Sequence, residues 1–417
     1  MTRVGGRATF LEVLSNREFA GLWLAWALSA FGDQFARVAL SLLVFDRTNS
    51  PALTAATYAL TFLPDLLGGP LLAGLADRFP RREVMIVTDV VRAALVAVMA
   101  ISGTPIVVLL VLLFAVQLLA APFTAARIAL TETIVSDAAF TQGTALMTTT
   151  YQTALVVGFP LGAIVVTIAG TSGALLIDAG TFLVSALLLW IFVTRRPPAA
   201  APDGKPARTW STIGAGFRLL RDSPKHQALL ALACLAGFYV APEGLVVPYA
   251  DQLGAGPIVV GLLLAANPVG TIIGNIVLAR AVPDDATRAR WLGWLAVITC
   301  ATLVPMFFVP GVAISLVLWT LVGFFSAHDT TTAVEYVKAT PNHQKAQLLG
   351  LAHASMRGAQ GLGVLLTGVL AQFLDPARVI ALTALVGLVV AVVVARAWGR
   401  VSSSPPPSAS DEPADER

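Results

Sequence analysis

The chain has 417 residues, of which 57% are hydrophobic and 12% are charged, and its formal net charge is +3. A soluble globular domain carries about 25% charged residues, so this charged fraction is too small to cover a soluble surface. The apolar residues also form long continuous blocks, a pattern that indicates membrane-spanning helices. Composition therefore excludes an ordinary soluble domain and predicts an all-α membrane protein.

Twelve apolar blocks follow one another along the chain, each long enough to cross about 30 Å of hydrocarbon as a helix. They run over residues 19–45, 52–76, 83–102, 104–126, 143–169, 173–193, 226–250, 256–280, 289–308, 311–337, 346–373 and 376–397. The longest polar loop separates six blocks from six. We therefore expect two six-helix bundles (1–193 and 226–398), a linker with a short amphipathic helix (194–225) and a disordered tail (399–417).

The basic residues are sorted by loop. If the N-terminus lies inside, every inner segment holds Arg or Lys, while the outer loops hold only Arg47 and Arg378. Basic loops remain on the cytoplasmic side of a membrane, so we expect both termini to be cytoplasmic in a cell (inner or plasma) membrane. This sorting accounts for the positive net charge, and no nucleic-acid partner is expected.

The second block runs directly into the loop Gly74-Leu-Ala-Asp-Arg-Phe-Pro-Arg-Arg82. Anchoring of the inner side explains the three arginines but not the acid. An aspartate at a helix end can bond the free amides of a neighbouring helix or pair with arginine, a contact that one conformation makes and another breaks. Asp77, Arg78, Arg81 and Arg82 are therefore candidate gating residues.

This loop resembles the signature of the major facilitator superfamily, G-x-L-A-D-R-x-G-R-K/R, with Ala73 and Pro80 at the two glycine positions. The resemblance implies the major facilitator fold, in which twelve transmembrane helices form two pseudo-symmetric six-helix bundles. It also implies that Asp77 and Arg78 lock the inner side in the outward-open state.

Shorter segments are similar to the macrolide-efflux and enterobactin-exporter branch of that superfamily. They are residues 16–19, 22–24, 32–33, Asp89-x-x-Arg92, 177–179 and 360–363. In the fifth block, Gly158, Pro160 and Gly162 resemble a shortened antiporter motif, which serves either coupling or only helix packing. The arginine that many drug antiporters carry in the fourth helix has no counterpart, since residues 105–124 hold no charge.

Ionisable residues inside a membrane are costly, so each is a candidate for function. Asp33 and Arg37 lie one helical turn apart in the first block, where Asp33 is either a coupling or substrate carboxylate or half of a self-neutralised pair. Asp65 and Glu243 each follow a proline, where a helix is expected to break and line a cavity. Both are candidate proton carriers.

Four further polar groups lie in two adjacent blocks. The tenth block carries His328, Asp329 and Glu335, and the eleventh carries Arg357. They either line the inner half of a central cavity or pair across the two helices.

Three more ionisable residues lie near the ends of blocks. Asp89 and Arg92 are expected to brace the signature loop, because they lie near the inner end of the third block. Asp178, near the outer end of the sixth block, is expected to reach water.

The sequence contains no Walker A loop, no G-x-S-x-G, no H-E-x-x-H and no metal-binding cluster. We therefore expect neither an enzyme nor a cofactor. The expected function is secondary transport, with proton-coupled efflux of small amphipathic molecules (a drug, antibiotic or siderophore) by alternating access. The expected partners are a small-molecule substrate, protons and the lipid bilayer, with the protein as a monomer. The alternative is a metabolite uptake transporter or facilitator on the same fold.

Overall fold

The computed structural model describes residues 10–64, 68, 72, 74–197, 220–221, 223–282, 284–340 and 345–402. Within these ranges the chain forms α-helices and short 3₁₀ segments and contains no strand. Asp65, most of the expected linker helix and the tail beyond Ser402 lie outside the described residues.

The first half of the chain is a series of helices, some of which divide or join the predicted blocks. They are α1 (Phe10–Ser15), α2 (Arg17–Thr48), α3 (Pro51–Ala59), α4 (Leu75–Arg78), α5 (Arg81–Met99), α6 (Ile106–Leu118), α7 (Ala120–Ile134) and α8 (Asp137–Phe192). The Asn16 side chain starts α2 by accepting hydrogen bonds from the amides of Glu18 and Phe19. Gly170 breaks α8 with a φ of 72°, between the fifth and sixth predicted blocks.

The second half of the chain contains a matching series. Its elements are α9 (Pro224–Cys234), α10 (Ala236–Tyr239), a 3₁₀ segment (Ala241–Leu245), α11 (Val246–Gln252), α12 (Pro257–Ala281), α13 (Asp285–Ala301), a 3₁₀ segment (Val304–Phe308), α14 (Val312–Ser326), α15 (His328–Ala339), α16 (Lys345–Leu370) and α17 (Pro376–Ser402). The predicted break at Glu243 is confirmed, because the 3₁₀ segment interrupts the seventh block there. Helix α17 continues to Ser402, past the boundary expected at 399.

Helix α13 begins at a capping aspartate. The Asp284 carboxylate accepts hydrogen bonds from the side chain and amide of Thr287, at 2.7 and 2.9 Å. These bonds stabilise the charged form and lower the pKa of Asp284. The cap therefore fixes the start of α13.

By length and composition, eight described helical stretches are able to cross a membrane. One of them, Ala139–Phe192, contains both the fifth and the sixth predicted blocks. Helices α5 and α16 match the third and eleventh blocks, and α3 covers the first part of the second block, whose remainder lies partly outside the described residues. The described helices are thus consistent with twelve spans.

Large apolar side chains cover the outer surface of the helix bundle. Ile168, Phe308 and Phe373 are 81%, 82% and 80% exposed. Such a surface is unfavourable in water but matches the hydrocarbon of a bilayer. Trp190, near the end of α8, is 65% exposed, and aromatic rings at helix ends favour the membrane interface.

The helix bundle has two ends, which we call the basic end and the distal end. The basic end holds the turn at Phe79 and Pro80, and the distal end holds the turn at Asn49 and Ser50. The two halves of the chain touch where α3 meets α16 and the first 3₁₀ segment, and where α8 meets α12. These contacts lie in the middle of the bundle and toward the distal end.

Glycines allow these contacts between the halves. A Cβ added to Gly368 of α16 would collide with Ala55 of α3. A Cβ added to Gly261 of α12 would lie 2.6 Å from the carbonyl oxygen of Phe159 in α8. Backbones of the two halves therefore approach directly, as membrane helices do at small residues.

Candidate functional site

A cavity of about 750 Å³ lies between the two halves, toward the basic end. Helices α2, α6, α7 and α8 form most of its wall, and α16 contributes His353 and Arg357 from the other half. The wall reaches Phe140, one turn from the start of α8, while the contacts between halves lie beyond its far side. The central space therefore opens at the basic end and is closed at the distal end.

The wall mixes aromatic and small polar side chains. Its aromatic members are Trp26, Phe123, Phe140 and Tyr151. Its uncharged polar members include Ser29, Thr61, Gln117, Thr124, Thr131, Thr144 and Thr148. An apolar pocket with scattered hydrogen-bonding groups suits an amphipathic organic molecule.

Asp33 lies on the cavity wall and forms an ion pair with Arg92. The Arg92 Nη2 atom donates to Asp33 Oδ1 at 3.0 Å, and the Arg92 guanidinium stacks 4.1 Å from the Phe182 ring centroid. The self-neutralised pair of Asp33 with Arg37 is therefore not observed. The expectation that Arg92 braces the signature loop is wrong, because its side chain points to α2 and the cavity.

Two further carboxylates lie behind Arg92, away from the cavity. Asp89 is 0% exposed and Asp178 is 1% exposed. The Ser185 hydroxyl donates to Asp89 Oδ2 at 2.6 Å, and Asp178 lies in the electrostatic field of Asp33, Arg92 and Asp89. The expectation that Asp178 reaches water is wrong. We call Asp33, Asp89, Arg92 and Asp178 the carboxylate cluster.

Glu243 connects the two halves of the chain. The Tyr58 hydroxyl of α3 donates to Glu243 Oε2 at 2.5 Å, and Asn267 Nδ2 of α12 donates to Oε1 at 2.7 Å. Tyr58 precedes Glu243 by 185 residues, so sequence patterns could not reveal this bond. Glu243 contributes no side chain to the cavity wall.

Arg37 and Arg127 also line the cavity. Arg37 interacts electrostatically with Tyr58 and Tyr151. The Arg127 guanidinium lies 4.8 Å from the Trp26 ring centroid, a cation–π contact. Arg127 was not a predicted site residue because it lies near the end of an apolar block, where an arginine usually marks only the inner side.

The four polar groups of the tenth and eleventh blocks separate in the structure. Arg357 lines the cavity. His328 is 0% exposed, and its Nε2 atom lies 3.5 Å from Asp329 Oδ1. Asp329 also accepts a 2.5 Å hydrogen bond from Tyr239 of α10, and Glu335 accepts one from Lys338 at 3.2 Å. These three therefore belong to contacts within the second half, outside this cavity.

The signature loop is held by its last two arginines. Arg81 Nη1 donates to the Ala129 carbonyl oxygen at 3.1 Å, and Arg82 Nη2 donates to the Trp190 carbonyl oxygen at 2.5 Å. Asp77 and Arg78 are exposed and form no ion pair with another described residue. Their gating role stays a prediction for a conformation that closes the basic end.

The glycines of the antiporter-like motif pack against α2. Helix α8 continues through Pro160. A Cβ on Gly158 would lie 2.9 Å from Gln34 Cγ, and a Cβ on Gly162 would lie 3.0 Å from Phe35 Cα. Close helix packing thus explains both glycines, and the coupling alternative stays untested.

The chain matches the family described as Major Facilitator Superfamily over residues 22–254 and 229–416. It is 27% identical over 405 residues to the multidrug efflux pump Tap of Mycobacterium tuberculosis (strain ATCC 25618 / H37Rv), covering 90% of this chain and 94% of that protein. It is also 27% identical over 278 residues to the uncharacterized MFS-type transporter YvqJ of Bacillus subtilis (strain 168). That match spans 64% of this chain and 65% of YvqJ, slightly under two thirds.

Solved transporter structures share the fold. A bacterial homolog of the human lysosomal transporter Spinster, inward-facing and unoccupied, superposes with a TM-score of 0.70 at 15% identity, covering 92% of this chain and 97% of that one. A POT family transporter in complex with a thioalcohol-conjugated peptide gives a TM-score of 0.74 at 11% identity, covering 93% and 97%. At these identities the likeness concerns the fold alone.

Proposed function

The chain belongs to the Major Facilitator Superfamily, and we propose that it is a proton-coupled exporter of small amphipathic molecules such as a drug, an antibiotic or a siderophore. The observation that carries this proposal is Asp33, which faces the cavity on one side and is tied through Arg92 to buried carboxylates on the other. In this proposal Asp33 links substrate binding in the cavity to proton binding by the buried carboxylates.

The carboxylate cluster supports proton binding by its charge balance. One guanidinium can neutralise one carboxylate, so full ionisation would leave two uncompensated negative charges inside the bilayer. Each such charge costs about 3 kcal/mol or more at mid-membrane. The cluster therefore holds protons, and we assign Asp33 as the carboxylate that exchanges them with the cavity.

Arg92 is the element that couples the two events in this proposal. When Asp33 takes up a proton, its ion pair with Arg92 weakens, and the guanidinium turns toward Asp89 and Asp178. Arg92 is 3% exposed and packed against Phe182, so such a turn changes the packing of α2 against α5 and α8. Proton occupancy and helix packing are thereby linked.

Export as the direction is supported by two arguments. The likeness to the efflux pump Tap extends over 90% of this chain. In addition, the basic loops favour a cytoplasmic basic end, so the open cavity would collect molecules from the cytoplasm. Both termini are then cytoplasmic. Closing the basic end and opening the distal end would release the cargo outside.

The test is transport by everted membrane vesicles that maintain a pH gradient, with a panel of antibiotics, amphipathic dyes and siderophores. We expect at least one compound to accumulate only while the pH gradient lasts and to dissipate it, as read by a fluorescent pH probe. Asp33→Asn should abolish this coupled flux. Asp375→Asn, at an exposed site in the distal loop, is the matched control and should retain it.

The same experiment distinguishes the proton-coupled exporter from the alternative function, a facilitator. Flux that follows only the concentration gradient of the compound, and is unchanged when nigericin collapses the pH gradient, would favour a facilitator on the same fold.

A further inference from the structure

We propose that the cavity selects amphipathic organic anions, in which an aromatic body carries a carboxylate, sulfonate or phosphate group that binds Arg37 or Arg127. This names the substrate class of the exporter proposed above and rests on that function for transport, but binding itself is testable separately. The chemistry of the cavity wall carries the inference.

The charged side chains on the described wall are mostly cationic. Arg37, Arg92, Arg127 and Arg357 line the cavity together with His353, whereas Asp33 is the one acidic side chain among the described lining residues. Asp33 is already engaged by Arg92 at 3.0 Å. A cationic ligand would have to displace Arg92 to reach it, so the wall disfavours cations.

Arg127 presents a guanidinium near the basic end of the cavity. It forms no ion pair with a described acidic side chain, and its near neighbours are the Trp26 ring and the sulfur of Met147, at 2.7 Å from Nη1. Its Nε atom is buried without a hydrogen-bond acceptor in the described part of the chain. The Arg127 guanidinium therefore lacks a strong hydrogen-bond acceptor, and an anionic group of a ligand would supply one.

Arg37 presents a second guanidinium deeper in the same cavity. Its Nε atom is likewise buried without an acceptor among the described residues. Asp33 and Glu243 lie within electrostatic range of it, but each is held by other donors, Arg92 for Asp33 and Tyr58 for Glu243. The Tyr151 side chain also forms a hydrogen bond with Arg37, but no acidic side chain of the described residues forms an ion pair with it, so a ligand anion can bind there.

The two cations stand at different depths. Trp26, beneath Arg127, and Arg37 are eleven residues apart on α2, which is about 16 Å along the helix axis. The aromatic rings of Trp26, Phe123 and Tyr151 line the same cavity and suit a flat apolar body. A single acidic group can bind one arginine at a time, and a rod-shaped dianion can bind both.

The test compares two dyes built on the same tricyclic xanthene core. At neutral pH fluorescein is an anion and rhodamine 123 is a cation. Binding to the full chain in phosphatidylcholine nanodiscs, whose lipid has no net charge, is followed by fluorescence anisotropy. We expect fluorescein to bind about tenfold or more tightly than rhodamine 123, the difference that one charge-assisted contact provides.

Substitutions locate the effect. The double variant Arg37→Gln/Arg127→Gln should weaken fluorescein binding about tenfold and leave rhodamine 123 binding equal or stronger. The single variant with the larger loss identifies the arginine that binds the anion. Arg37→Lys and Arg127→Lys keep the charge and should retain most of the affinity. Arg378→Gln is the matched control, since its Nη1 atom pairs with Asp375 at 3.3 Å outside the cavity wall, and should change neither dye.

Three results would overturn the proposal: rhodamine 123 bound as tightly as fluorescein, neither dye bound by the wild type, or arginine substitutions that weaken both dyes equally. Vesicle flux distinguishes the two proposals. Anion-selective binding without pH-driven flux refutes the exporter and keeps the anion site, whereas pH-driven flux of the cation alone refutes the anion site and keeps the exporter.

Discussion

The hydroxyl of Tyr58 in the first half of the chain donates a 2.5 Å hydrogen bond to Glu243 in the second half. It lies beside the contact of α3 with the first 3₁₀ segment, on the closed side of the cavity. A bond that joins the halves on this side must break when the distal end opens. It therefore stabilises the form that is open at the basic end.

Tyr58→Phe should shift the protein toward opening of the distal end. A hydrogen bond contributes about 1 kcal/mol net, so we expect a shift of about fivefold in the ratio of the two forms. Electron–electron distance measurements between spin labels at Asp46 and Phe373, with Cys234 and Cys300 replaced, report that ratio.

Tyr249→Phe is the matched control for this measurement. The Tyr249 hydroxyl bonds the Pro310 carbonyl oxygen at 2.9 Å and Ser315 at 2.6 Å, both within the second half. Its loss should leave the label distances unchanged. Equal shifts in the two variants would mean that the Tyr58 bond does not select between the forms.

Gly368→Val should act as a wedge at the distal end. An added side chain would collide with Ala55 of α3 when that end is closed, at a cost of about 1–3 kcal/mol for overpacking. We expect the distal-open form to gain population and transport to fall, read by the same labels and by vesicle flux. Gly180→Val is the control because nothing lies within 4 Å of its added Cβ. If Gly368→Val behaves like the wild type, the packing of Gly368 against Ala55 does not limit opening of the distal end.

Arg92→Gln should lower the thermal stability strongly, because removing one partner of a buried ion pair costs about 3–5 kcal/mol. The double variant Asp33→Asn/Arg92→Gln leaves no unpaired charge from this pair and should recover part of that loss. Coupled proton flux should remain absent in both. Thermal unfolding in detergent measures the stability of each variant. A double variant that is no more stable than Arg92→Gln would show that the broken ion pair does not account for the lost stability.

Asp77→Asn should slow transport while leaving ligand binding unchanged. Asp77 is exposed and outside the cavity wall in this form, so its contribution is expected when the basic end closes. Binding by anisotropy and flux in vesicles, compared on the same preparation, separate the two effects. Turnover equal to that of wild type would remove Asp77 from the gate.

The fold was predictable from local patterns because a bilayer forces each apolar block into a helix. The break around Glu243 followed from Pro242, and the boundary between the fifth and sixth spans coincides with Gly170. Such features depend on residues close together in the chain. For Gly158 and Gly162, packing was one of two interpretations that the sequence allowed, and their partner helix was not predictable.

The site was less predictable because its contacts join distant parts of the sequence. Asp33 and Arg92 are 59 residues apart, and the nearer Arg37 competed as a partner on helical spacing alone. Asp178 was misplaced for a related reason: distance from a block end says nothing about which neighbouring helix covers a side chain. Residues 105–124 of the fourth block hold no charge, yet the same helical stretch continues to Ile134 and brings Arg127 to the cavity, while Arg92 of α5 pairs with Asp33.

The direct contact of Gly261 with the backbone at Phe159 and Pro160 has a consequence for motion. The nearest side-chain atom there is the Cβ of Ala163, so only small groups separate α12 from α8 at this contact. Two bodies that touch at small groups can tilt about that contact without first unlocking interdigitated side chains. Gly261 would thus be the pivot point for the tilt of one half against the other, and its small size would set how freely one end closes as the other opens.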